Sequence, residues 1–193
     1  MSSCLWLLRH GATEWTEDGR HTGREEVALS EVGREQARAA GRYLDGNEFA
    51  HVYVSPQARA METCRLAGFE EQARIRDELV EWDYGEYEGL TDEQTQEREP
   101  GWELFRDGCP GGESPDQVIR RVDRFLAEVS EVDGPCLAVG HGKSLRVLAT
   151  RWIASDVSLG SVLAMDPAAL SLLEREAEQP LLRLRNFTGR LAT

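Results

Sequence analysis

Two histidines occupy matching places in this chain. Arg9-His10-Gly11 follows the apolar run Cys4-Leu5-Trp6-Leu7-Leu8, and His141-Gly142 follows Cys136-Leu137-Ala138-Val139-Gly140. An arginine presents a planar fork that grips anionic oxygens in pairs, and an imidazole near neutral pH can act as base, acid or nucleophile. Short motifs recur by chance, so Arg9 and His10 taken alone read equally well as the polar end of a strand. The second histidine shifts that balance, as does Arg59, placed in the first turn of a helix beginning after Val52-Tyr53-Val54-Ser55-Pro56. Glycine after each histidine lets the backbone turn sharply and come close to a ligand.

The elements that must position these groups follow from local pattern. Short, nearly unbroken apolar runs read as strands of a mostly parallel sheet buried on both faces, whose carboxyl ends border the ligand crevice of open α/β sheets. Ser55 as N-cap and Pro56 at the first position predict the helix carrying Arg59. Ser30 opens a helix with Val32, Ala37, Ala40 and Leu44 inward, and Ser144 to Ile153 reads as another helix. Ser114-Pro115-Asp116-Gln117 is a capping box ahead of Val118, Val122, Phe125, Leu126 and Val129, and Thr91-Asp92-Glu93-Gln94 is a second. Ser161 to Met165, Ala168 to Glu174 and Leu181 to Phe187 predict short strands at an antiparallel edge, with residues 188–193 as a loose tail. The expected fold class is α/β: a three-layer sandwich with a mostly parallel central sheet, helices on both faces and an antiparallel edge, as one domain over residues 1–193.

Ordered blocks through almost the whole chain carry a family likeness. They are Arg9-His10-Gly11-Ala12-Thr13; Thr22-Gly23 with Leu29 to Ala37; Ser55-Pro56 with Arg59-Ala60 and Thr63; Glu81 to Gly89; Gly111-Gly112-Glu113-Ser114; and Val139-Gly140-His141-Gly142. Together they resemble the histidine phosphatase superfamily, also called phosphoglycerate mutase-like. Trp82 to Gly89 with Arg106-Asp107-Gly108-Cys109 is most similar to a branch of bacterial acid phosphatases and sedoheptulose bisphosphatases.

The resemblance implies a phosphomonoesterase acting on small phosphorylated metabolites such as sugar phosphates or bisphosphates. Phosphoryl transfer needs a nucleophile, charge to hold anionic oxygens and a proton for the leaving alkoxide. His10 then resembles the nucleophile that becomes a phosphohistidine, and Glu81 the general acid, which predicts an acidic to neutral optimum. Arg9, Arg59, His141 and the Gly142 amide would bind phosphate, with Thr22 and Gly23 as a closing loop. Thr16 stands where the family usually has asparagine, with shorter reach and one fewer donor. Trp15, Trp82, Tyr84, Arg24 and the segment 90–109 would wall the substrate pocket, that segment as a cover over the site. Asp83, Glu86 and Glu88 read as solvated charge and His51 as a surface residue, while His21 flanks the Thr22-Gly23 loop within reach of a substrate.

Two other functions compete. The mutases of this superfamily carry an arginine just after the catalytic glutamate and further cations beyond, whereas Trp82 follows Glu81 here and residues 90–108 are acidic with only Arg98 and Arg106, the latter expected at the surface. That favours hydrolysis over phosphoglycerate mutation. A non-catalytic phosphate-sensing domain predicts loss of one of Arg9, His10, Arg59, Glu81 or His141, and all five are present.

Composition sets the outer bounds. A net charge of −13 argues against nucleic acid or acidic membranes as partners and works against an anionic substrate at long range, so capture must rest on local positive potential. No apolar stretch reaches the roughly 20 residues that span a bilayer, and Met1-Ser2-Ser3-Cys4 lacks the basic, apolar start of a secretion signal. The four cysteines, Cys4, Cys64, Cys109 and Cys136, show no metal spacing and read as reduced thiols of a cytoplasmic protein. No metal and no cofactor are expected, the partner is a small phosphorylated metabolite, and a homodimer is left open.

Overall fold

On strand β1 (Cys4–Arg9) Leu5 and Leu7 face one side while Trp6 and Leu8 face the other, the alternation that a strand's twofold pleat imposes. Both sides are apolar, so both must be covered. The computed structural model, which describes residues 4–189, covers them with two helical layers. The chain runs from β1 through α1 (Glu14–Glu17) and α2 (Glu31–Leu44) to β2 (His51–Val54), α3 (Ala58–Leu66) and β3 (Ala73–Ile75). After α4 (Asp92–Arg98), α5 (Leu104–Asp107) and α6 (Pro115–Ser130) come β4 (Cys136–Gly140), α7 (Gly142–Trp152), β5 (Leu170–Glu176) and β6 (Gln179–Phe187). Ala40 and Leu44 of α2 with Ala60 and Cys64 of α3 pack under Leu8, Val52, Val54, Leu137 and Val139. On the opposite face Val118, Val122, Phe125 and Val129 of α6, with Leu145 and Leu148 of α7, cover Leu5, Leu7, Tyr53 and Ala138.

The six strands lie in the order β3-β2-β4-β1-β5-β6. The pairs β2–β3, β2–β4 and β1–β4 are parallel, and β1–β5 and β5–β6 are antiparallel. This is the predicted three-layer α/β sandwich with its antiparallel edge. Because Arg9 is in register with Gly140, the residues that follow, His10 and His141, emerge side by side from the carboxyl ends of adjacent strands.

Several local expectations change. Residues 161–165 form no strand: Asp156 caps a 3₁₀ helix over Val157–Val162, and β5 itself occupies the place beside β1. Ser55 is not the N-cap of α3; the chain bends at Pro56 and Gln57, Gln57 takes that position without a side-chain cap, and Ser55 is freed for the site. Val32 is 55% exposed, since the inward stripe of α2 runs through Gly33, Ala37, Ala40 and Leu44. Both capping boxes, Thr91 with Gln94 and Ser114 with Gln117, form. Of the expected tail, residues 190–193 lie outside the described residues. No helix is long and apolar enough to cross a membrane among the described residues.

Candidate active site

His10 is 3% exposed, and its Nδ1 lies 2.7 Å from the carbonyl of Gly11. A carbonyl only accepts, so Nδ1 must carry the proton and Nε2 keeps a lone pair. Burial, then the charges of Arg9 and Arg59, hold the imidazole pKa well below its usual value, so the ring is neutral at physiological pH. The loop itself is fixed by backbone: the Gly11 N–H donates to Thr63 Oγ1 at 3.1 Å, and the Ala12 N–H to Gln36 Oε1 at 2.9 Å. Gly11 packs directly on the backbone of Gly33, where any Cβ would collide with the Gly33 carbonyl. Its missing side chain therefore serves the contact with α2 rather than an approach to ligand.

His141 takes the opposite tautomer. Arg59 Nε donates to its Nδ1 at 3.2 Å, which leaves Nε2 to donate to Ser55 Oγ at 2.8 Å. Burial, Arg59 and His10 push its pKa well below normal too, and the two rings lie 5.1 Å apart. Arg59 is fully buried and uses its fork inward: Nη1 donates to the carbonyl of Glu25 at 2.8 Å, and Nη2 to those of Thr22 and Gly23 at 3.3 and 2.8 Å. It holds the 22–25 loop as well as His141. Arg9 donates through Nη1 to the Met165 carbonyl at 2.5 Å, while its buried Nε has no partner. A Cβ on Gly142 would sit 3.3 Å from Arg9 Cζ and Nε, so the glycine lets this guanidinium lie against the start of α7. There the first N–H groups lack intrahelical acceptors.

Glu81, 7% exposed, does for α7 what the N-cap His141 does not. Its carboxylate accepts from the N–H groups of Lys143 (3.0 Å), Ser144 (2.8 Å) and Trp82 (2.9 Å). Gln57 steadies it, accepting from the Glu81 N–H at 2.9 Å and donating to the Gly23 carbonyl at 2.5 Å. Arg9, His10, Thr16, Thr22, Glu81, Tyr84 and Gly142 border one cleft of about 180 Å³. Among the described residues no group of three or more His, Cys, Asp or Glu side chains is placed to hold a metal ion.

A neutral imidazole lone pair, the Arg9 guanidinium, a helix start and a carboxylate around one small cleft, with Arg59 and His141 behind its lining, suit phosphoryl chemistry. Comparison with known proteins decides the lineage: the family description "Histidine phosphatase superfamily (branch 1)" matches residues 5–188. The chain belongs to the histidine phosphatase superfamily. It is 41% identical over 189 residues to an acid phosphatase of Mycobacterium tuberculosis, covering 96% of this chain and 93% of that protein. It is 29% identical over 183 residues to a sedoheptulose 1,7-bisphosphatase of Saccharomyces cerevisiae, covering 78% of this chain and 68% of the other. The solved structure of an open reading frame product from Mycobacterium tuberculosis superposes with a TM-score of 0.92 at 40% identity, covering 97% of this chain and 99% of that one. Its phosphatase relatives support the same coarse activity here, a hydrolase acting on phosphate esters.

Within this histidine phosphatase fold, other expected residues take different places. Trp82 is fully buried; its Nε1 donates to the Glu113 carbonyl and its ring packs edge-on against Phe105, so it belongs to the core and not to the cleft. Trp15 lies against Gly89 and under the Arg20 guanidinium, outside the cleft lining. Arg24 is exposed and paired with Asp83, and Arg106 is exposed and paired with Asp107. Thr16 borders the cleft, but its hydroxyl closes the α1 capping box, donating to the Thr13 carbonyl and accepting from the Thr13 N–H. Gly23 gives its N–H to Glu88, which also accepts from Arg24 and Glu25, so Glu88 pins the 23–25 loop instead of merely facing solvent. Of residues 90–109, Asp92 alone lines the cleft among the described residues, while Trp102, Leu104 and Phe105 are core, so this segment is a wall rather than a cover. His21 stacks on Tyr84 at 4.6 Å within the lining, and burial lowers its pKa to about 4. His51 is half-buried and bonded through Nδ1 to the Tyr53 hydroxyl.

Sequence reasoning missed Gln57, Lys143 and Arg146. The last two line the cleft with Arg20, so the site is richer in cations than the acidic 90–108 segment suggested. One signal was readable: a lysine in the first turn of a helix opposes the macrodipole, which marks it for a role other than helix stability.

Proposed function

We propose that the chain is a metal-independent phosphomonoesterase of the acid phosphatase type that hydrolyses small phosphorylated metabolites through a phosphohistidine on His10. The observation that carries this is the fixed tautomer of His10, whose Nδ1–H is held by the Gly11 carbonyl so that Nε2 presents its lone pair. Nε2 attacks phosphorus as the ester P–O bond breaks, and Glu81 supplies the proton that the departing alkoxide takes. Water then attacks the phosphohistidine and returns a proton to Glu81 as the N–P bond breaks. Arg9 and the Gly142 amide hold the phosphate oxygens; Arg59 and His141 join them by exchanging a loop carbonyl and the Ser55 hydroxyl, respectively, for an oxyanion, a stronger charge-assisted bond. Similarity to the Mycobacterium tuberculosis acid phosphatase supports hydrolysis over mutation, now that the cations lining the cleft have removed the argument from their scarcity.

The test is phosphate release from p-nitrophenyl phosphate, sugar phosphates and phosphoglycerates in the presence of a chelator, beside a coupled mutase assay and an alkaline quench that preserves phosphohistidine. Phosphate release with label on His10 is expected. Interconversion of phosphoglycerates outrunning phosphate release would overturn the hydrolytic reading.

A further inference from the structure

Two cations in the cleft have no role in the chemistry just described. Lys143 and Arg146 stand three residues apart on α7, on one face of the helix, and both border the cleft that holds His10. Neither side chain has an ion-pair or hydrogen-bond partner among the described residues, and the Nε of Arg146 is buried without one. This is not for want of carboxylates, since the protein has 35 of them against 22 lysines and arginines. Arginines away from the cleft are engaged, Arg76 with Glu128, Arg121 with Glu113 and Arg151 with Asp123, whereas Arg9 and Arg185, beside Arg146, also keep buried nitrogens without a partner.

The surroundings make the arrangement costly. Lys143 lies at the positive end of the α7 macrodipole. Burial first, and then the nearby charge of Arg146, disfavours the charged forms of Arg9, Lys143 and Arg185. The carboxylates facing this group are Glu81, which caps the helix, and Asp92 across the cleft, with Asp166 beside Arg9 and Arg185. Concentrated, partly desolvated positive charge of this kind is relieved by an anion entering the cleft. The His10 phosphate position lies at the floor, so the anion at α7 is a second one on the same molecule. A volume of about 180 Å³ sits below the roughly 300–1,000 Å³ of pockets for drug-sized ligands, which suits a small metabolite.

We propose that Lys143 and Arg146 form a second anion subsite, and that the preferred substrates are phosphomonoesters carrying a further carboxylate or phosphate group. This rests on the hydrolytic reading of His10. The experiment compares kcat/KM for matched pairs: 3-phosphoglycerate against glycerol 3-phosphate, and fructose 1,6-bisphosphate against fructose 6-phosphate. The wild-type protein is expected to prefer the member with the second anion in at least one pair by about tenfold or more, in keeping with hydrogen bonds to charged groups. The pair that shows it identifies the anion as carboxylate or phosphate. Lys143→Gln and Arg146→Gln should each lower that preference at least about fivefold. No preference in either pair, or variants that slow both members equally, would overturn the subsite. If instead no ester, p-nitrophenyl phosphate included, releases phosphate above the His10→Ala background, it is the hydrolytic reading that fails.

Discussion

The floor of the cleft and its wall on α7 are built in contrary ways. At the floor most donors already have a partner: His10 Nδ1 with Gly11, His141 with Arg59 and Ser55, Arg59 with three loop carbonyls, and Glu81 with three amides. On the wall, the side chains of Lys143 and Arg146 have none among the described residues. A largely saturated floor keeps most of its geometry before anything binds, so that its dipoles meet a transition state with little reorganisation beyond the exchange of single partners. An unsaturated wall is completed by its ligand. Chemistry and selection are thus assigned to different regions, and each can be damaged separately.

The sharpest way to break this division is His10→Ala, expected to lower phosphate release at least about a thousandfold on every ester, as loss of a nucleophile does. A loss confined to substrates with a second anion would erase the distinction between floor and wall. Next comes Glu81→Gln, with a fall of about a hundredfold on alkyl phosphates and a much smaller one on p-nitrophenyl phosphate, whose leaving group needs no proton. Equal losses on both would remove Glu81 as acid and leave it only as the cap of α7. Gly142→Ala probes the seam between the regions: its Cβ presses on Arg9, and steady-state rates should drop roughly tenfold to a hundredfold through misplacement of that guanidinium. Unchanged kinetics would mean that Arg9 has room to yield.

The smallest effect is on stability. Burial holds His10, His141 and His21 below the ordinary imidazole pKa, so the unfolded chain takes up more protons than the folded one once the pH falls below about 6.5. Their contribution is intact above that pH and is lost as the pH falls toward the folded value, about 4 for His21. Denaturant midpoints recorded over this window should show a slope for His21→Gln that is shallower than wild type by up to ~1.4 kcal/mol per pH unit. Parallel slopes would mean that His21 is not buried neutral.

The floor was legible because its signals are local and repeated: an apolar run, a histidine, a glycine, twice over on strands that pair in parallel. What failed depended on partners far along the chain. Residues 161–165 have the apolar pattern of a strand, yet β5 already pairs with β1. Trp82 carries an aromatic surface suited to a ligand, but Phe105 and the Glu113 carbonyl claim it for the core. Ser55 has the chemistry of a cap and is drawn instead to His141, 86 residues away. The wall escaped notice because a lysine and an arginine on a mostly apolar helix look like its solvent face. Their place in the cleft lining, with both near Arg9 and Arg146 also near Arg185, shows otherwise.

The lack of partners at Lys143 and Arg146 also bears on descent. Since α7 is anchored by Glu81 at its start and by Leu145 and Leu148 beneath, exchanging these two side chains removes no hydrogen bond of the helix, of His10 or of His141. A lineage with this scaffold can change its diet of metabolites by drift at two positions, and paralogues with the same four-part floor need not share a substrate.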